Sequence, residues 1–270
     1  MPDLRNNMFL SPDMSEVIAQ FRLIHTKTFS LAEKLNELAH QEMFETEVTS
    51  SNAQQLLIAC LLHRALTTFQ GVIVLTERGM PAEATTLLRT LLEVMFRLVA
   101  IAKDSEVGRT YILQDEFHRK KFINKFKLLS EPVRSAATQP SHDHDSLLTD
   151  INHKIAEHGV SERSTLWFAE QAGLADFYHS AYSVLSGAVH ANVRDIESAL
   201  VVDENGNVTA FDYGPSDAGI DEILLTAIES LIFCLRGAFS VLPSASQNAL
   251  DSVNADFITL HQEIFAEAKA

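Results

Sequence analysis

Residues 53–103 read AQQLLIACLLHRALTTFQGVIVLTERGMPAEATTLLRTLLEVMFRLVAIAK, and this stretch decides the fold. Thr49-Ser50-Ser51-Asn52 supplies a break with a capping residue before it. The apolar run then predicts a helix ending at Arg78, with Gly79 just past its last turn. Met80-Pro81 restarts a second helix that reaches Lys103. Two helices joined by so short a gap are antiparallel neighbours.

The same pattern extends in both directions. Ser11-Pro12 opens a helix that the spacing of Val17, Phe21, Ile24, Phe29, Leu31, Leu35 and Leu38 carries to about Glu47. Asp104-Ser105 starts another, which ends before Glu131-Pro132. Residues 131–146 are polar and hold two prolines, so they predict an irregular connection. Further helices are expected over 146–158, around Trp167, over 174–198, over 217–242 and over 245–268. The exception is ALVVDENGNVTAFDY, residues 199–213, where two β-rich runs flank Asn205-Gly206. That is a hairpin signal, with positive φ expected at both turn residues. A lone hairpin is marginal in water, so it is expected to pack on the helices. The fold class is therefore all-α: a bundle of seven to nine helices with one β-hairpin insertion near 199–213. Residues 1–50 read as an N-terminal helical extension and 51–270 as the bundle, with no composition shift between them.

The composition agrees. Among 270 residues there are only ten glycines and seven prolines, about half the usual share. The formal charge is -15, which opposes non-specific binding to nucleic acid over the whole surface. His118, Arg119, Lys120, Lys121, Lys125 and Lys127 form one basic stretch, either a solvated face or a phosphate-contacting one. Cys60 and Cys234 lie in apolar runs and read as buried free thiols. The first residues lack a basic segment followed by an apolar one, so no signal peptide is expected. The windows 56–75 and 223–242 are long enough to cross a bilayer, but each carries charge, and buried helices are expected instead. A cytoplasmic protein with no membrane partner follows as an expectation.

Two segments carry polar groups on otherwise apolar helices. L-L-R-T-L-L-E places Arg89 and Glu93 at i and i+4, on one face, and Arg97 continues the stripe. Y-S-V-L-S-G-A-V-H-A-N-V-R, residues 182–194, spaces Tyr182, Ser186 and His190 by four, with Asn192 and Arg194 following. Serine and histidine so placed lack the strained elbow and matched acid of a serine hydrolase. Buried polar groups need partners, and these two sets are complementary, so they are expected to converge. Glu229 and Arg236 share a face of a later helix. His142-Asp143-His144-Asp145, with His153, has metal-ligand residue types but sits in a polar loop, so no metal and no cofactor is assigned. Nucleotide-binding glycine motifs, C-x-x-C and H-E-x-x-H are absent from the sequence.

R-x-x-x-E on an apolar helix, then Y-x-x-x-S-x-x-x-H, a small hairpin and a last helix resemble the bacterial domain-of-unknown-function 5677 family, over about residues 50–240. The matching positions are Arg89, Glu93, Ser186 and His190. The resemblance implies a helical fold and a site location rather than a reaction. The architecture is also loosely similar to helical ribonuclease and nucleotide-binding domains of toxin and defence systems, whose R-x4-6-H motif is absent here.

Two functions remain open. One is a non-catalytic, homo-oligomeric interaction protein in which the cluster is structural. The other is a metal-independent ribonuclease or nucleotide-acting effector. There Arg89 would hold a phosphate of an RNA or nucleotide, His190 would act as acid or base, and Glu93 would orient Arg89. Ser186 and Tyr182 would donate hydrogen bonds, with Asn192 and Arg194 as further ligand-binding groups.

Overall fold

The computed structural model describes residues 7–48, 51–137, 144–185, 197, 199–212, 214–244 and 246–267. The elements are α1 (Met14–Ile24), α2 (Thr26–Glu45), α3 (Ala53–Glu77), α4 (Pro81–Lys103), α5 (Ser105–Lys127), α6 (Glu131–Ala137), α7 (His144–His158), α8 (Thr165–Ala172) and α9 (Ala175–Phe177). A π-helical turn, Tyr178–Tyr182, continues α9. The strands β1 (Leu200–Val202) and β2 (Val208–Phe211) follow, then α10 (Ile220–Phe239) and α11 (Gln247–Glu267). The protein is an all-α bundle with one small antiparallel hairpin.

α4 is the central helix. It buries Leu88, Leu91, Leu92, Met95, Phe96 and Leu98 against α3 and α10. Asn52 caps α3 by accepting from the Gln55 backbone N–H, and Pro81 starts α4. Between them Gly79 adopts φ +70°. A Cβ there would lie 2.6 Å from the Phe21 ring and 2.7 Å from Pro215, so only glycine fits this crossing. Met14, Phe21, Phe29 and Leu35 of α1 and α2 belong to the same hydrophobic core as α3, α4 and α10. α3 is long and apolar enough to cross a membrane by composition; half of its most apolar stretch is buried in the bundle.

Several expectations need correction. The first long helix is two, broken at His25 (φ -102°, ψ 33°). The His25 side chain is drawn to α10, where its Nδ1 lies 2.9 Å from Asp221 Oδ2. Apolar periodicity survives a one-residue break, so the spacing alone did not reveal it. Residues 131–137 are helical, because Pro132 falls in the first turn, where no N–H is needed. These breaks raise the count to eleven α-helices among the described residues. Cys60 is exposed, whereas Cys234 is buried and its thiol pKa is pushed up by burial.

The hairpin also differs. Only Gly206 has positive φ, +83°. Gly206 N–H donates to Asp203 O, and the Asp203 carboxylate accepts from the backbone N–H groups of Asn205 and Asn207. The turn is thus a four-residue turn, residues 203–206, whose last residue is a left-handed glycine. Nor is the hairpin buried against the described helices. All of β2 and most of β1 are exposed.

Candidate functional site

α4 presents Arg89, Glu93 and Arg97 on successive turns of one face, each about a quarter exposed. Opposite them the π-helical turn delivers Tyr182, which is 5% exposed. A π turn admits one extra residue per turn, and such turns are frequent at functional positions. Here Ser183 Oγ donates to Tyr178 O at 2.9 Å, a hydroxyl bond that satisfies a carbonyl of the widened turn. The turn also stacks Tyr178 on Tyr182, with centroids 4.8 Å apart and planes at 24°. Phe96 of α4 meets the Tyr182 ring edge-on at 6.0 Å.

The polar ends close on one another. Arg89 Nη2 donates to the Tyr182 hydroxyl at 2.7 Å, and that hydroxyl donates to Glu93 Oε1 at 2.8 Å. Arg89 and Glu93 also approach directly, at 3.5 Å. Arg97 Nη1 donates to Glu93 O at 2.9 Å and lies 3.3 Å from its Oε2. The Arg89 guanidinium sits 4.7 Å from the centre of the Tyr182 ring, and that of Arg97 5.6 Å from the Phe168 ring. Thr165, on the first turn of α8, hydrogen-bonds Tyr182 as well. Burial raises the Tyr182 pKa, and the Glu93 carboxylate raises it further; Thr165 and Arg89 act in the opposite direction. The phenol is therefore held neutral as a hydrogen-bond relay between a cation and an anion.

Of the residues expected at the site, the structure places Arg89, Glu93 and Tyr182 together. Ser186, His190, Asn192 and Arg194 lie outside the described residues. Sequence reading missed Thr165, Phe168 and Tyr178, which are neutral or aromatic and carry no spacing signal. Two further clasps hold α8 to the bundle. Lys103 Nζ donates to Ala172 O at its last turn, and Gln114 of α5 bonds Ser161 O and Arg163 N–H before its first.

The other candidates resolve differently. In the basic stretch, Arg119 pairs with Glu116, Lys121 with Glu162 and Lys127 with Asp145, so these cations lie in a salt-bridged, solvated face. Arg236 pairs with Asp251 at 3.5 Å, not with Glu229. Burial raises the Glu229 carboxyl pKa, and His261 on α11 opposes the shift. Of the histidine-rich loop, 142 and 143 are outside the described residues, and His144 stacks on Phe126 at 4.9 Å. Among the described residues no three His, Cys, Asp or Glu side chains group as metal ligands.

Residues 55–208 match the sequence model of a family of unknown function, DUF5677. The match covers α3 to α9 and β1 and contains the whole Arg89–Glu93–Tyr182 node, while α1, α2, α10 and α11, which complete the core, lie outside it. No curated protein and no solved structure matches the chain. With more than half of its residues in that match and the node inside it, the chain belongs to the DUF5677 family.

Proposed function

We propose that the protein is a non-catalytic helical interaction protein that self-associates, and that Arg89, Glu93, Arg97 and Tyr182 form a structural lock rather than a reaction centre. One observation carries this reading: the Tyr182 hydroxyl uses both its accepting and its donating capacity within the cluster. Its single proton is committed to Glu93 Oε1, so in this arrangement the hydroxyl offers no donor to a substrate. Here the relay ties α4 to the π turn, and the aromatic stack packs against the same joint. A hydrogen-bonded network of this kind contributes rigidity and orientation.

The test is to incubate the purified chain with single-stranded and structured RNA, without and with added divalent metal, beside an Arg89→Ala variant. The expected result is no cleavage by either protein, with the variant less stable. RNA cleavage by the wild type that is lost in Arg89→Ala and His190→Ala at unchanged melting temperature would overturn the reading in favour of a ribonuclease.

A further inference from the structure

Among the described residues the hairpin is poorly covered by the rest of the protein. Val201, Val202 and Val208 are 43, 56 and 52% exposed. Leu200, Val202, Val208 and Phe211 fall on one face of it, because Leu200 pairs with Phe211 and Val202 with Val208. The two-stranded sheet leaves the outer edge of β1 with no neighbouring strand among the described residues. Exposed edges are normally blunted by lysine, proline or a bulge. Leu200-Val201-Val202 has none of these. The one irregularity falls between Val201↔Ala210 and Val202↔Val208, so the extra residue is Thr209, on β2.

The hydrogen bonds fix which groups that edge presents. Asp212 N–H donates to Ala199 O, and Asp203 N–H donates to Asn207 O. Alternation along an antiparallel ladder then turns the backbone of Ala199, Val201 and Asp203 towards β2, and that of Leu200 and Val202 outwards.

We propose that this edge is where two copies of the chain meet: β1 pairs with β1 of a second copy, antiparallel about a twofold axis, to give a four-stranded sheet. The proposal rests on the self-association reading above and specifies its location. In the register set by the outward groups, Leu200 lies opposite Val202 of the second copy and Val201 opposite itself. The three pairs are all apolar. Asp203 lies opposite Ala199, so no like charges face each other. The acidic tips, Asp203 and Glu204, point to opposite ends of the sheet, which matters for a chain of charge -15. A parallel pairing would place the tips side by side. One sequence therefore satisfies both sides of a closed, isologous contact, which favours a second copy over an unrelated strand. Because the contact is short, dimerisation is expected to depend on concentration.

The twofold makes a sharp test. Val201 and its mate form a non-hydrogen-bonded pair with Cα atoms about 4.5 Å apart, within disulfide reach. In the full chain carrying Cys60→Ser, to remove the exposed native thiol, Val201→Cys is compared with Val208→Cys, an exposed position on the far strand. Mild oxidation is expected to cross-link Val201→Cys several-fold faster. Sedimentation across a concentration series is expected to show monomer–dimer exchange for the wild type and a shift to monomer for Val201→Lys, with unchanged circular dichroism. A wild type that is monomeric throughout would overturn both this proposal and the self-association reading. A wild type that dimerises, with Val201→Lys dimerising equally and equal cross-linking at both cysteines, would overturn the β1 edge alone.

Discussion

The hydroxyl of Tyr182 donates to Glu93 Oε1 at 2.8 Å across 89 residues of sequence, and in doing so joins the π turn to the central helix. Arg89, four residues before Glu93, completes the relay from the other side. A quarter-exposed ion pair on one helix face contributes little alone, because solvent screens it. The tyrosine converts it into a tertiary link.

A second link of this kind joins α1–α2 to α10. Asp221 accepts from Thr28 Oγ1 at 2.5 Å and is 2.9 Å from His25 Nδ1, while His25 Nε2 is buried with no hydrogen-bond partner among the described residues. Asp221→Ala leaves two donors unsatisfied. A loss of about 1–3 kcal/mol in urea unfolding is expected. A loss below about 0.5 kcal/mol, the range of neutral surface changes, would mean that the Asp221 contacts do not stabilise this joint.

Glu229 gives a pH-dependent prediction. Its folded pKa is raised, chiefly by burial. Its stabilising contribution is therefore complete below the ordinary carboxyl value and is lost as pH rises through the raised one. At neutral pH the ionised carboxylate is a cost, and Glu229→Gln relieves it. Thermal unfolding should show a higher melting temperature for Glu229→Gln at pH 7 and no gain below about pH 4. An equal gain at both pH values would contradict the assignment to ionisation.

The hairpin turn should behave as a separable unit. Gly206 sits at φ +83°, and a Cβ placed there would have nothing within 4 Å, so a side chain meets backbone strain and no clash. Gly206→Val is expected to cost about 1–2 kcal/mol locally. Amide exchange should rise in 200–211 while the melting temperature of the bundle holds. Loss of the bundle with the turn would show that the hairpin supports the core.

Helix periodicity and caps made most of the bundle legible. Asn52, Gly79 and Pro81 mark their helix boundaries because capping is local chemistry. At the break His25 meets Asp221, nearly two hundred residues away, and the apolar pattern stays intact there, so no local signal records it. The same holds at the site. The Arg89/Glu93 spacing showed which face of α4 carries charge, and Tyr182 was visible as a polar group at helical spacing. Thr165, Tyr178 and Phe168 were not, because a neutral hydroxyl and two aromatic rings look alike in a site and in a core. The exposed hairpin reversed an expectation for a related reason. Marginal stability predicts that a hairpin needs a partner, and does not say whether the partner lies in the same chain.

The most direct measurement of the central claim is urea unfolding of Tyr182→Phe. This change keeps the stacked ring and removes only the oxygen that bridges Arg89 and Glu93. If the cluster is a structural lock, the variant loses about 1–3 kcal/mol, the contribution of hydrogen bonds to two charged, partly exposed partners. A variant as stable as the wild type would contradict the account.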